Sequence, residues 1–90
     1  MTRPARTVRE VLIAARYILD RWGWCKGALD GLGRRCSVTA VFTVRCMPGL
    51  KSEAVQMLGG VTPTIRFNDA PSTTLPMVLA RFDEAIARAK

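Results

Sequence analysis

The sequence predicts a small, mainly α single domain, with α+β as the alternative if one middle segment is a strand. Three observations lead there. Ninety residues are one domain's worth of chain, and 49% apolar with 23% charged residues is the composition of a folded protein. Apolar residues recur every three or four positions near both ends, the period of amphipathic helices. No run approaches the roughly 18 apolar residues of a membrane span.

The first helix is expected over 8–22. Thr7-Val8-Arg9-Glu10 is a capping box, in which the Thr hydroxyl accepts from the third helical N–H and the Glu carboxylate reaches back to the cap. Val8, Leu12, Ala15, Leu19 and Trp22, widened by Val11 and Ile18, form its apolar stripe, opposite Arg9, Arg16 and Asp20. Gly23 can take the positive φ that closes a helix. Asp30-Gly31-Leu32-Gly33 reads as a turn, the tip of a short hairpin between 24–29 and 34–37. Residues 37–46 fit two periods. Val38, Ala40, Phe42, Val44 and Cys46 alternate as in a strand, and β-branching favours that reading. Val38, Val41, Phe42 and Arg45 also fit a helix started by Ser37.

Pro48-Gly49 ends that element, and 51–58 reads as a short helix closed by Gly59-Gly60. Pro63 limits 62–67 to an edge strand at most. Residues 68–74 form a turn into the last helix, capped by Thr73 or Thr74, with Pro76 tolerated in the first turn. Leu75, Val78, Leu79, Phe82, Ala85, Ile86 and Ala89 make its buried face, and Glu84 and Arg88 can pair outside it. Residues 1–90 are one domain, with 1–6 a flexible basic arm. A chain this size buries only about 60% of its unfolded surface, so a homodimer using Trp22 or Trp24 would enlarge a small core.

The residue inventory excludes most chemistry. There is no His, so imidazole catalysis and most metal sites are absent. Cys25, Cys36 and Cys46 are too few and too widely spaced for zinc, and no metal or other cofactor is expected. Nothing reads as a secretory leader, so a cytoplasmic location with reduced, core-packed thiols is expected; a Cys25–Cys36 disulfide is the alternative. Lys26, Arg34 or Arg35 could lower a thiol pKa at Cys25 or Cys36, but no general base lies nearby in sequence. Asp83 and Glu84 point about 100° apart on a helix and make no carboxylate pair. The protein is expected not to be an enzyme.

Charge is the feature left over. The chain carries +7, and residues 1–35 hold eight Lys and Arg against three acids. Arg3, Arg6, Arg9, Arg16, Arg34 and Arg35 are the candidate partner-binding face, toward phosphates or an acidic protein surface, against the plain reading of a solubilising surface. Trp22 belongs to the core stripe. Trp24, just past the helix, is the candidate aromatic contact, although core burial is the favoured reading for both tryptophans, since a small core with 7% aromatic residues needs them. Asn68-Asp69 reads chiefly as structure, with Asp69 turning the chain into the last helix.

Trp22-Gly23-Trp24-Cys25, then Cys36, a small-residue segment around Ala40, Asn68-Asp69 and a Thr-capped closing helix occur in that order. The pattern resembles a family of short bacterial and phage proteins of unknown function that carry Gly-Trp-Cys, a later Cys opening a small-residue helix, and Trp-Asn-Asp. Phe67 stands at the Trp position here. The resemblance implies a helix after Cys36 and a phage or mobile-element setting, and it supplies no activity. Together these readings point to a small non-enzymatic binding protein that occludes a surface on a host protein or nucleoprotein complex, an anti-CRISPR inhibitor being the concrete form. The alternative is a basic nucleic-acid-binding accessory protein making backbone contacts; no membrane partner is expected.

Overall fold

The computed structural model describes residues 4–26 and 35–89. Among them are five helices: α1 (Val8–Trp22), α2 (Ser37–Thr43), α3 (Leu50–Met57), α4 (Val61–Asp69) and α5 (Leu75–Arg88). The fold is mainly α, and its only β-type pairings among the described residues are two isolated parallel bridges, Ala5 with Cys46 and Trp24 with Arg35.

The capping box forms. Thr7 Oγ1 accepts from Glu10 N at 3.1 Å, and Glu10 Oε1 accepts from Arg6 N at 3.0 Å, one residue before the cap. α1 is the hub of the packing, with α2, α3 and α5 against it and α4 resting on α2 and α3. Val11, Leu12, Ala15 and Leu19 of α1 are fully buried against Ala40 and Val41 of α2, Ala54 and Val55 of α3, and Val78, Phe82 and Ala85 of α5. Each large aliphatic or aromatic side chain so buried contributes about 1.5–3 kcal/mol. The expected buried face of α5 is present, with Leu75, Leu79, Ile86 and Ala89 packed around its edge.

Residues 37–43 are helical, and the strand reading fails on burial. Ser37, Ala40, Val41 and Val44 face inward at helical spacing, while Phe42, which the alternating pattern would bury, is exposed. The cap is Cys36 rather than Ser37: its Sγ accepts from Thr39 N at 3.4 Å. Residues 61–69 are also helical, not an edge strand. Pro63 falls in the first turn of α4, where an N–H would have no intrahelical partner. The hairpin is likewise corrected. Cys25 N donates to Arg35 O and Arg35 N to Gly23 O in a parallel bridge, so the two segments run in the same direction. The turn expected at 30–33 lies outside the described residues. The basic arm is fastened at Ala5, which is buried, donates to Arg45 O and accepts from Met47 N.

α3 ends in a Schellman motif, with Gly60 N donating to Val55 O and Gly59 N to Gln56 O, both at 3.0 Å. Gly59 has φ +115°, and a Cβ there would stand 2.9 Å from the Arg81 guanidinium. That guanidinium donates through Nε and Nη2 to Leu58 O, and Arg88 donates to Met57 O. Two arginines of α5 thus cap the carbonyl end of α3, where the helix dipole is negative. Arg88 turns to α3 rather than pairing with Glu84 as the spacing suggested. Gly59→Ala should lower stability by about 2 kcal/mol, from backbone strain and displacement of Arg81, as read by urea denaturation. A loss near zero would show that the turn tolerates a side chain.

No helix among the described residues is long and apolar enough to cross a membrane.

Candidate functional site

The motif residues meet in one buried junction. Asn68, in the last turn of α4, is fully buried. Its Oδ1 accepts from Trp24 Nε1 at 2.6 Å, Ser37 N at 2.9 Å and Ser37 Oγ at 2.7 Å. Its Nδ2 donates to Cys25 O at 3.1 Å and Asp69 Oδ1 at 2.9 Å. One amide therefore ties the segment after α1 to the start of α2 and the end of α4. Lys26 Nζ adds a bond to Ala70 O, and Thr73 Oγ1 donates to Phe67 O at 2.6 Å. Among the described residues no buried side-chain polar atom is left unpartnered. Both arms of the Asn68 amide are engaged within the protein, which leaves it no capacity for a ligand. Within the Asn-Asp pair the two side chains are themselves bonded, and Asn68 carries the links to Trp24, Ser37 and Cys25.

Of the two tryptophans, core burial holds for Trp24 and fails for Trp22. Trp24 packs on the core with its N–H committed to Asn68, so the candidate contact residue faces inward. Trp22, assigned to the core, is 66% exposed. The buried stripe of α1 stops at Leu19, and Trp22, in the final position of the helix, projects past it.

The described basic residues do not form one face. Arg3 and Arg34 lie outside the described residues. Arg6 and Arg9 are exposed. Arg16 reaches α5 and grips Asp83, Nε to Oδ1 at 2.7 Å and Nη2 to Oδ2 at 3.4 Å. Arg35 instead lies along α2, its Nε donating to Thr43 Oγ1 at 3.0 Å. The Arg16–Asp83 pair is open to solvent, so Arg16→Ala should cost less than about 1 kcal/mol, and 1 M salt should erase the difference in unfolding midpoint. A larger, salt-independent loss would mean that the Arg16 stem carries packing instead.

The described surface offers a different site. Ile13, Tyr17 and Trp22 are 48%, 58% and 66% exposed, and they border a groove of about 640 Å³ between α1 and the end of α2. Ala14 and Ile18 lie along it from α1, with Val44 and Arg45 opposite and Glu10 at one end. Tyr and Trp combine large apolar area with a polar tip and few rotatable bonds, which suits them to interfaces. A signal for this site was present in the sequence: Ile13 and Tyr17 stand four residues apart on the otherwise polar side of the helix. Nothing in the sequence could place Val44 and Arg45 across from them.

No disulfide joins the three cysteines, of which Cys36 is buried and Cys25 and Cys46 are half-buried. Among the described residues no group of Cys, Asp and Glu side chains is placed to hold a metal ion. No curated protein and no solved structure matches the chain. Its sequence does match a described family over residues 3–88, nearly its whole length, and on that match the chain belongs to a family of unknown function (DUF6197).

Proposed function

We propose that the protein is a non-enzymatic binding module that docks a partner protein on the groove beside α1. The observation that carries this reading is the exposed run Ile13, Tyr17 and Trp22 along one groove, in a small domain that otherwise buries its motif residues. Solvated side chains of this size cost solubility unless a partner covers them. The resemblance to phage-linked proteins supports a host machine, such as a CRISPR defence complex, as the larger body whose surface is occluded. Cysteines not joined by a disulfide suit the reducing cytoplasm. The nucleic-acid reading has less support, because Arg16 is paired with Asp83 and Arg35 lies apart along α2.

The test is site-specific photocrosslinking in cells, with the reactive residue at position 17 or, as a control, at exposed Ala80 on α5. Position 17 should give a discrete protein adduct that Ala80 does not, and Trp22→Ala should abolish it while leaving the unfolding midpoint nearly unchanged. Equal adducts from both positions, or none from either, would refute the docking reading. Binding of the purified protein to duplex DNA that weakens by about 0.9 log unit per log salt for each phosphate contact would favour nucleic acid instead.

A further inference from the structure

The groove has a chemical character beyond its apolar walls, and resting on the docking reading above it specifies the partner's shape and charge. Arg45 lines the groove, and Arg21, one turn after Tyr17, stands exposed beside it. Neither guanidinium has a hydrogen-bond or ionic partner among the described residues. Glu10, the acid at the groove's end, accepts from Arg6 N and so is engaged in capping its own helix. The chain as a whole carries +7. An apolar channel edged by two guanidinium groups against the single carboxylate of Glu10 complements an apolar ridge edged by carboxylates.

The fold also restricts the backbone form of the occupant. No strand is present among the described residues, so there is no sheet edge to which an extended peptide could add main-chain hydrogen bonds. The groove is walled by side chains of α1 and by the end of α2, and recognition there must run through side chains. From Ile13 to Trp22 is a rise of nine residues, about 14 Å of helix at 1.5 Å per residue, enough for a second helix to set i, i+4 and i+7 anchors over about 10 Å. A second copy of this chain fits poorly, because it would bring Arg21 and Arg45 against their own equivalents and +7 against +7.

We infer that the groove takes an amphipathic helix of a partner protein, its apolar anchors lying among Ile13, Tyr17, Ile18 and Trp22 and its acidic side chains meeting Arg21 and Arg45. The experiment is selection from a displayed library of helix-stabilised peptides, with the exposed face randomised, against the folded protein, followed by affinity measurement. Selected peptides should carry apolar residues at i, i+4 and i+7 flanked by Asp or Glu. Trp22→Ala should weaken the best of them roughly tenfold or more, as loss of a central aromatic anchor does. The double variant R21E/R45E should weaken them likewise, and replacing the peptide carboxylates by Lys should recover binding to that variant. Peptides without acidic bias, binding indifferent to R21E/R45E or Trp22→Ala, or no binders at all would overturn the inference. So would a stable dimer in sedimentation of the protein alone that Trp22→Ala dissolves, which would make a second copy the occupant. A specific adduct from position 17 together with failure of the helix library would leave the docking reading standing and remove the helical, acidic occupant.

Discussion

Asn68→Ala should destabilise the protein by about 3–5 kcal/mol, among the largest effects of any single polar substitution here. The side chain accepts from Trp24 Nε1 and from both the backbone and hydroxyl of Ser37, and it donates to Cys25 O. Removing it leaves several part- or fully buried groups without partners at once, each costing about 1–3 kcal/mol when water cannot reach it. The groups are shared by three segments, so the loss should extend to the placement of α2 and the end of α4. Urea denaturation followed by far-UV circular dichroism gives the magnitude, and a red shift of tryptophan emission reports Trp24 losing its seat. Trp24→Phe is the control: it keeps most of the ring and removes a single donor, with an expected loss of about 1 kcal/mol. If Asn68→Ala costs no more than Trp24→Phe, the junction is not a cooperative network.

Phe82→Ala should cost about 3–5 kcal/mol, the transfer term of a buried phenyl ring plus the cavity it leaves. Phe82 is 1% exposed and is among the largest fully buried side chains, in the core that α5 shares with α1. In a domain of this length about 1 kcal/mol corresponds to about 4–8 °C in Tm, so the midpoint should fall by more than about 12 °C. Trp22→Ala removes a larger ring and should shift the midpoint by only a few degrees, because that ring already stands largely in water. A large loss at Trp22 together with a small one at Phe82 would mean that the core lies elsewhere. Calorimetry on the two variants side by side decides it.

Much of this arrangement was legible from residue types and spacing. The Thr7–Glu10 box, the stripe from Val8 to Leu19, the Gly59-Gly60 stop and the buried face of α5 are local signals, and all are present in the structure. The helix after Cys36 was one of two readings its spacing allowed; β-branching argued for the strand, and the family resemblance for the helix. The candidate site was missed, although Ile13 and Tyr17 on the polar side of α1 were a local signal for one wall of it. The facing wall had none, because Val44 and Arg45 arrive there through packing of distant segments.

By itself the sequence determined a single small helical domain with no imidazole chemistry, together with the ends of its first and last helices, because capping, glycine stops and periodicity depend on neighbours within a few residues. Tertiary structure alone decided the rest. Residues 37–43 and 61–69 are helical because their inward positions recur at helical spacing against α1 and its neighbours, and because Pro63 falls within a first turn. Trp24 is seated and Trp22 exposed because Asn68, 44 residues from Trp24, supplies an acceptor at one indole, while the core ends before the other. Arg16, Arg81 and Arg88 are held by a carboxylate or by backbone carbonyls rather than forming a common basic face. Formal charge can be counted along a chain, but whether a charge stays free depends on which acceptor folding brings within about 3 Å of it.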